Sequence, residues 1–121
     1  MVVSGSKCPQ QAGVEAVADA TLACLRTAVP ASVPGIVFLS GGQSDQVATA
    51  HLDAMNRKGP HPWTLSFSYG RALQHPALKT WGGKAANLTP AQKVLVHRER
   101  MNSLATQGKY TPEAEREPAA A

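Results

Sequence analysis

Two stretches of this chain each pass from a β-forming segment directly into a glycine-bearing turn and then a helix. No other feature of the sequence limits the fold as much. The first, Gly35-Ile36-Val37-Phe38-Leu39, is a continuous apolar run followed at once by Ser40-Gly41-Gly42. It reads as a strand buried on both faces, the kind found in parallel sheets. In the second, Trp63, Leu65, Phe67 and Tyr69 alternate with small polar residues before Gly70-Arg71 opens a helical stretch. Strands that each feed a helix are consecutive β/α units, and they pair in parallel with their helices outside. Two such strands do not make a stable sheet, because parallel sheets have both faces covered and several members. The expected fold is therefore α/β and larger than these 121 residues. An eight-stranded β/α barrel takes about 250 residues, so a chain of this size is expected to be the last third to half of one.

The remaining elements follow from periodicity and punctuation. Val14, Val17, Ala18, Leu22, Leu25 and Val29 recur at helical spacing until Pro30 ends the run. Ser44 is placed to cap a second helix whose Ala48, Leu52 and Met55 share a face, with Arg57-Lys58 and Gly59-Pro60 closing it. Pro76 must kink or restart the helical stretch that ends near Trp81. Thr89-Pro90-Ala91-Gln92 has the form of a capping box and predicts a last helix through Val94, Leu95, Met101 and Ala105 to Gly108. Residues 1–110 are read as one folded unit, and 111–121, rich in glutamate and ending in alanines, as a disordered tail.

Composition removes several classes of function. With 43% hydrophobic and 17% charged residues the chain is globular. The net charge of +4 is dispersed, with no cluster longer than Arg57-Lys58, so no nucleic-acid partner is expected. Cys8 and Cys24 lack any CxxC or Cys/His spacing and read as reduced thiols of a cytoplasmic type of protein. Every apolar run is interrupted well short of a membrane span, and the first residues lack the form of a signal peptide. The four histidines fall at no ligand spacing, so no metal is expected. Gly82-Gly83-Lys84 resembles a phosphate loop only superficially, since Leu78 and Ala85 stand where that motif needs Gly and Ser/Thr; it reads as a helix stop.

The chemistry-bearing candidates are the two turns. Glycine lets a backbone approach a phosphate closely, and N–H groups at a strand-to-helix turn point outward at the positive end of the helix. Arg71 adds a fixed cationic fork. A tight turn alone would also account for the glycines, with Arg71 a surface residue. In β/α barrels the loops after the seventh and eighth strands frequently form such a phosphate site.

Four segments, VPGIVFLSGGQS (33–44), PWTLSFSYGRALQ (62–74), LKTWGGK (78–84) and NSLATQGKYT (102–111), closely resemble class I fructose-bisphosphate aldolase. The likeness runs from about residue 14 to 111 in unbroken order. It implies an α/β fold that is the C-terminal part of an eight-stranded β/α (TIM) barrel, with strands seven and eight and their flanking helices. It also implies substrate contact at Ser40, Gly41 and Gly42 in an SGG turn and at Ser68, Gly70 and Arg71 in an SYGR turn. The implied activity is that of a glycolytic lyase: reversible Schiff-base cleavage of fructose 1,6-bisphosphate to dihydroxyacetone phosphate and glyceraldehyde 3-phosphate, without metal or cofactor, in a cytoplasmic or organellar homo-oligomer.

In that family the imine-forming lysine lies in an LKPxMV motif after the sixth strand. Met1-Val2-Val3 resembles the end of that motif, so the lysine and the upstream acid/base carboxylates are expected to be absent here. Lys7 matches no catalytic position, and the C-terminus lacks the family's terminal Tyr. The chain alone is therefore expected to be inactive and, with strand edges unpaired and an inner face uncovered, loosely folded or aggregating in isolation. The alternative is a truncated, catalytically dead module that binds a sugar phosphate or a partner.

Overall fold

A computed structural model describes residues 1–68 and 70–117. The elements are α1 (Val14–Ala28), β1 (Gly35–Phe38), α2 (Asp45–Arg57), β2 (Thr64–Phe67), α3 (Arg71–Trp81), a 3-10 turn (Ala85–Asn87), α4 (Leu88–Thr106) and α5 (Pro112–Arg116). The strands pair in parallel, Gly35 opposite Thr64 and Phe38 opposite Phe67. The ladder continues past both ends: Thr64 donates its N–H to Pro34 O (3.1 Å) and Ser68 to Phe38 O (2.9 Å).

Helices cover one face of this pair. Phe38, Trp63 and Leu65 pack with Ala18 and Leu22 of α1, Leu52 and Met55 of α2, and Ala105 of α4 into the core. Trp63 turns its indole N–H to Pro30 O at 3.0 Å, which satisfies its one polar group while the ring is buried. On the other face, Val37 and Leu39 are 64% and 74% exposed. The expectation that the first strand is buried on both faces thus holds for one face only. Among the described residues no element packs over the second, and each strand keeps one unpaired edge.

Helix punctuation follows the sequence in part. Ser44 caps α2 by accepting the Val47 N–H, and Ala48, Leu52 and Met55 are fully buried along it. Pro76 lies within an unbroken α3, and left-handed Gly82 (φ +54°) ends that helix, so Gly82-Gly83-Lys84 is a stop. The capping box at Thr89 does not start α4. The 3-10 turn feeds straight into Leu88, Asn87 takes the capping position, and Pro90 falls inside the first turn, where its missing N–H costs nothing. The disordered tail is corrected up to Glu117: Thr111 caps α5 and Glu115 pairs with buried Arg98. Residues 118–121 lie outside the described residues.

Asp53, on α2, is 1% exposed; it meets Arg57 Nε at 2.7 Å and accepts the Tyr110 N–H at 2.8 Å. Burial pushes its pKa up, with the Tyr110 N–H and Arg57 opposing. An acid with a folded pKa above its unfolded one contributes stability below the unfolded value and loses it as pH rises through the folded value. Asp53→Asn keeps the acceptor for Tyr110 and removes the ionisation. It should flatten the fall in stability above pH 4. Urea unfolding of both proteins at pH 4 and pH 7 measures this, and a variant whose stability falls between the two as steeply as the parent's would contradict it.

Candidate functional site at the ends of the two strands

Both glycine turns lie at the C-terminal ends of the parallel strands, where β/α proteins place their ligands. Ser40, 5% exposed, follows β1, and its hydroxyl accepts the N–H of Ala72, the second residue of α3, at 2.9 Å. Gly70, the capping residue of α3, has no side chain to offer, so Ser40 serves as the cap from the neighbouring unit. The first turn is thereby held against the start of the second unit's helix.

Gly41 and Gly42 are exposed, and nothing stands within 4 Å of a Cβ built on either. Gly42 has φ +79°, a left-handed conformation that a side chain would strain. Gln43 N–H returns to Ser40 O (3.3 Å), closing the turn, and the Gln43 side chain bonds buried His51 Nδ1 on α2. Burial lowers the His51 pKa, so the neutral ring, with its proton on Nδ1, donates to the Gln43 carbonyl.

Ser68 is half-buried one step beyond β2 and borders a groove of about 240 Å³ lined by Phe67, Leu73, Asn102 and Thr106. Gly70 accepts the N–H groups of Leu73 (3.1 Å) and Gln74 (2.8 Å) on its carbonyl. The Ala72 N–H is taken by Ser40. Arg71, the first residue of α3, is exposed. Ser40 is thus brought to the start of α3, where Arg71 is the first residue; Gly41 and Gly42 follow Ser40 in its turn, and Tyr69 lies outside the described residues.

Sequence reasoning missed a buried polar group beneath these turns. Arg98 of α4 is 3% exposed and bonds Ala72 O, Asp45 O, Thr49 and Glu115. It sits a heptad from both Ala91 and Ala105, on the buried stripe of its helix. That spacing was the available signal, obscured by the charged run His97-Arg98-Glu99-Arg100. Nearby, burial and the Glu115 carboxylate push the Tyr110 phenol up to about 12. Cys8 and Cys24 are exposed free thiols. Among the described residues no group of three could hold a metal, and no helix is long and apolar enough to cross a membrane.

Parallel strands ending in glycine turns, joined through a helix start and flanked by an arginine, define a β/α protein. Comparison with known proteins makes the assignment specific. The family profile described as "Fructose-bisphosphate aldolase class-I" matches residues 1–121. The chain belongs to the class I fructose-bisphosphate aldolase family. It is 54% identical over 119 residues to "Fructose-bisphosphate aldolase 1, chloroplastic" of Arabidopsis thaliana, covering 98% of this chain and 30% of that protein. It is 52% identical over 111 residues to "Probable fructose-bisphosphate aldolase class 1" of Xanthomonas axonopodis pv. citri, covering 91% and 33%. Among solved structures, fructose-bisphosphate aldolase of Plasmodium falciparum, in complex with TRAP and a small molecule inhibitor, superposes with a TM-score of 0.87. The identity there is 50%, and the match covers 92% of this chain and 32% of that one. The chain spans about a third of the length of these relatives.

Proposed function

We propose that this chain is the phosphate-gripping end of a class I fructose-bisphosphate aldolase, with residues 1–110 forming the last part of its barrel and β1 and β2 its seventh and eighth strands. The observation that carries the reading is the Ser40 hydroxyl on Ala72 N–H at 2.9 Å. It makes one anion-facing edge of two turns far apart in sequence. In this reading the amides of Gly41, Gly42 and Gly70 are the donors for a phosphate, the positive end of α3 favours its charge, and Arg71 supplies the fork. Ser68 borders the same edge. Ser40 works through position, because its oxygen is engaged with α3. Gripping the phosphate end of fructose 1,6-bisphosphate or of a triose phosphate would hold the substrate carbonyl at an imine-forming lysine outside this chain. The whole protein would then cleave the sugar into dihydroxyacetone phosphate and glyceraldehyde 3-phosphate, a step of glycolysis.

Replacing the matching third of the Plasmodium falciparum relative with this chain tests the reading. The chimera is expected to cleave fructose 1,6-bisphosphate with a KM within about tenfold of the parent, a loss of no more than about 1.4 kcal/mol. A folded chimera that neither binds nor cleaves the bisphosphate would refute it.

A further inference from the structure

An arginine inside a protein cannot shed its charge and must be paired. Arg98 meets this with Glu115 of α5, whose carboxylate is 2.5 Å from Nη1 and whose side chain is 9% exposed. The remaining guanidinium nitrogens reach two main-chain carbonyls and one hydroxyl. Nε donates to Ala72 O at 3.2 Å, and Nη2 donates to Asp45 O at 3.3 Å and to the Thr49 hydroxyl. Asn102, one turn further along α4, adds a second bond to Ala72 O at 3.2 Å and accepts from the Thr49 hydroxyl at 2.7 Å.

The two carbonyls chosen are informative. Asp45 is the first residue of α2 and Ala72 the second of α3, the helices that leave the two glycine turns. Ala72 already gives its N–H to Ser40. A ring is thereby closed from the first turn, through α3, through Arg98, to α2 and back to the first turn.

We propose that Arg98 is a positioning residue: its guanidinium, neutralised by Glu115, fixes the opening turns of α2 and α3 to one another and so sets the separation of the two anion-facing turns. The proposal rests on reading those turns as one anion site. A filler of similar volume could supply comparable stability, since a buried ion pair is seldom better than good apolar packing. A planar fork with donors at fixed angles also sets distance and orientation, which neither an apolar chain nor a lysine does. The geometry extends the site's support to α5, because the counter-charge comes from there.

The test places this chain in the chimeric aldolase, unaltered, with Arg98→Lys or Arg98→Met, or with Asn102→Ala as the milder variant that removes one bond to Ala72 O. Two signals are followed by amide NMR: hydrogen exchange at Ala72, and the response of Gly41, Gly42, Gly70 and Arg71 to inorganic phosphate. In the unaltered chain Ala72 should be protected and both turns should follow one titration curve. In Arg98→Lys the Ala72 amide should exchange roughly tenfold faster or more, and the turns should titrate apart and more weakly. Should neither arginine variant fold, Asn102→Ala is read in the same way with a smaller acceleration. Unchanged Ala72 exchange and a single unchanged curve in the folded variants would overturn the proposal. So would an Ala72 amide in the unaltered chain exchanging at the unfolded rate. Phosphate that moves neither turn in the unaltered chain counts against the anion reading, and Ala72 exchange then decides the clamp by itself.

Discussion

Borohydride reduction of the 121-residue chain in the presence of dihydroxyacetone phosphate is expected to leave its mass unchanged. Imine formation needs an unprotonated amine, which proteins obtain by burying a lysine or setting it beside another cation. Lys58 has the opposite surroundings: it bonds Glu15 at 2.9 Å and Asp19 at 2.8 Å, and these carboxylates hold its pKa above the ordinary value. Lys7, Lys79, Lys84, Lys93 and Lys109 are all exposed. The effect is all or none, because no other side chain here can form a reducible imine. Intact mass spectrometry reads it directly. A stoichiometric adduct on any one of these lysines would show that the chain carries its own nucleophile.

Arg71→Ala in the chimeric aldolase should weaken bisphosphate binding by a factor of roughly ten to a hundred or more. A charge-assisted hydrogen bond contributes about 1.5–3 kcal/mol, and Arg71 stands at the positive end of α3. Its side chain is exposed, so the thermal transition should move little. A residue that merely supported the turn would behave in reverse, lowering the transition while leaving affinity intact. Titration with a non-cleavable bisphosphate beside a melting curve separates the two. Unchanged affinity would remove Arg71 from the site.

Much of the architecture was legible because it is written in local residue types. An apolar run ending at Ser40-Gly41-Gly42 and an alternating run ending at Gly70-Arg71 gave the strands, their parallel pairing and the position of the candidate site. Ser44 and the stripe of Ala48, Leu52 and Met55 gave α2. The features that escaped reading depend on contacts distant in sequence. Ser40 looked like part of a ligand turn, yet its hydroxyl caps a helix of the next unit. Arg98 lies within the charged run His97-Arg98-Glu99-Arg100, and only the packing of α2, α3 and α5 around it reveals a buried hub. The same pairing explains the tail, since glutamates typical of a disordered segment include the counter-ion that a buried guanidinium requires. The start of α4 escaped because Thr89 offers a good local cap, while the chain arrives already helical from the 3-10 turn at Ala85–Asn87.

The borrowed cap on α3 also orders events in time. Helix nucleation is costly, and a helix short of its own start signal gains that signal only when the donor arrives. α3 has Gly70 at its head and takes its side-chain cap from Ser40. That hydroxyl reaches Ala72 only after β1 and β2 have found their register, with Phe38 opposite Phe67. α2, capped locally by Ser44, has no such dependence and can form early. Strand pairing therefore precedes the completion of α3, and the edge that would hold a phosphate is among the last parts of the molecule to assemble.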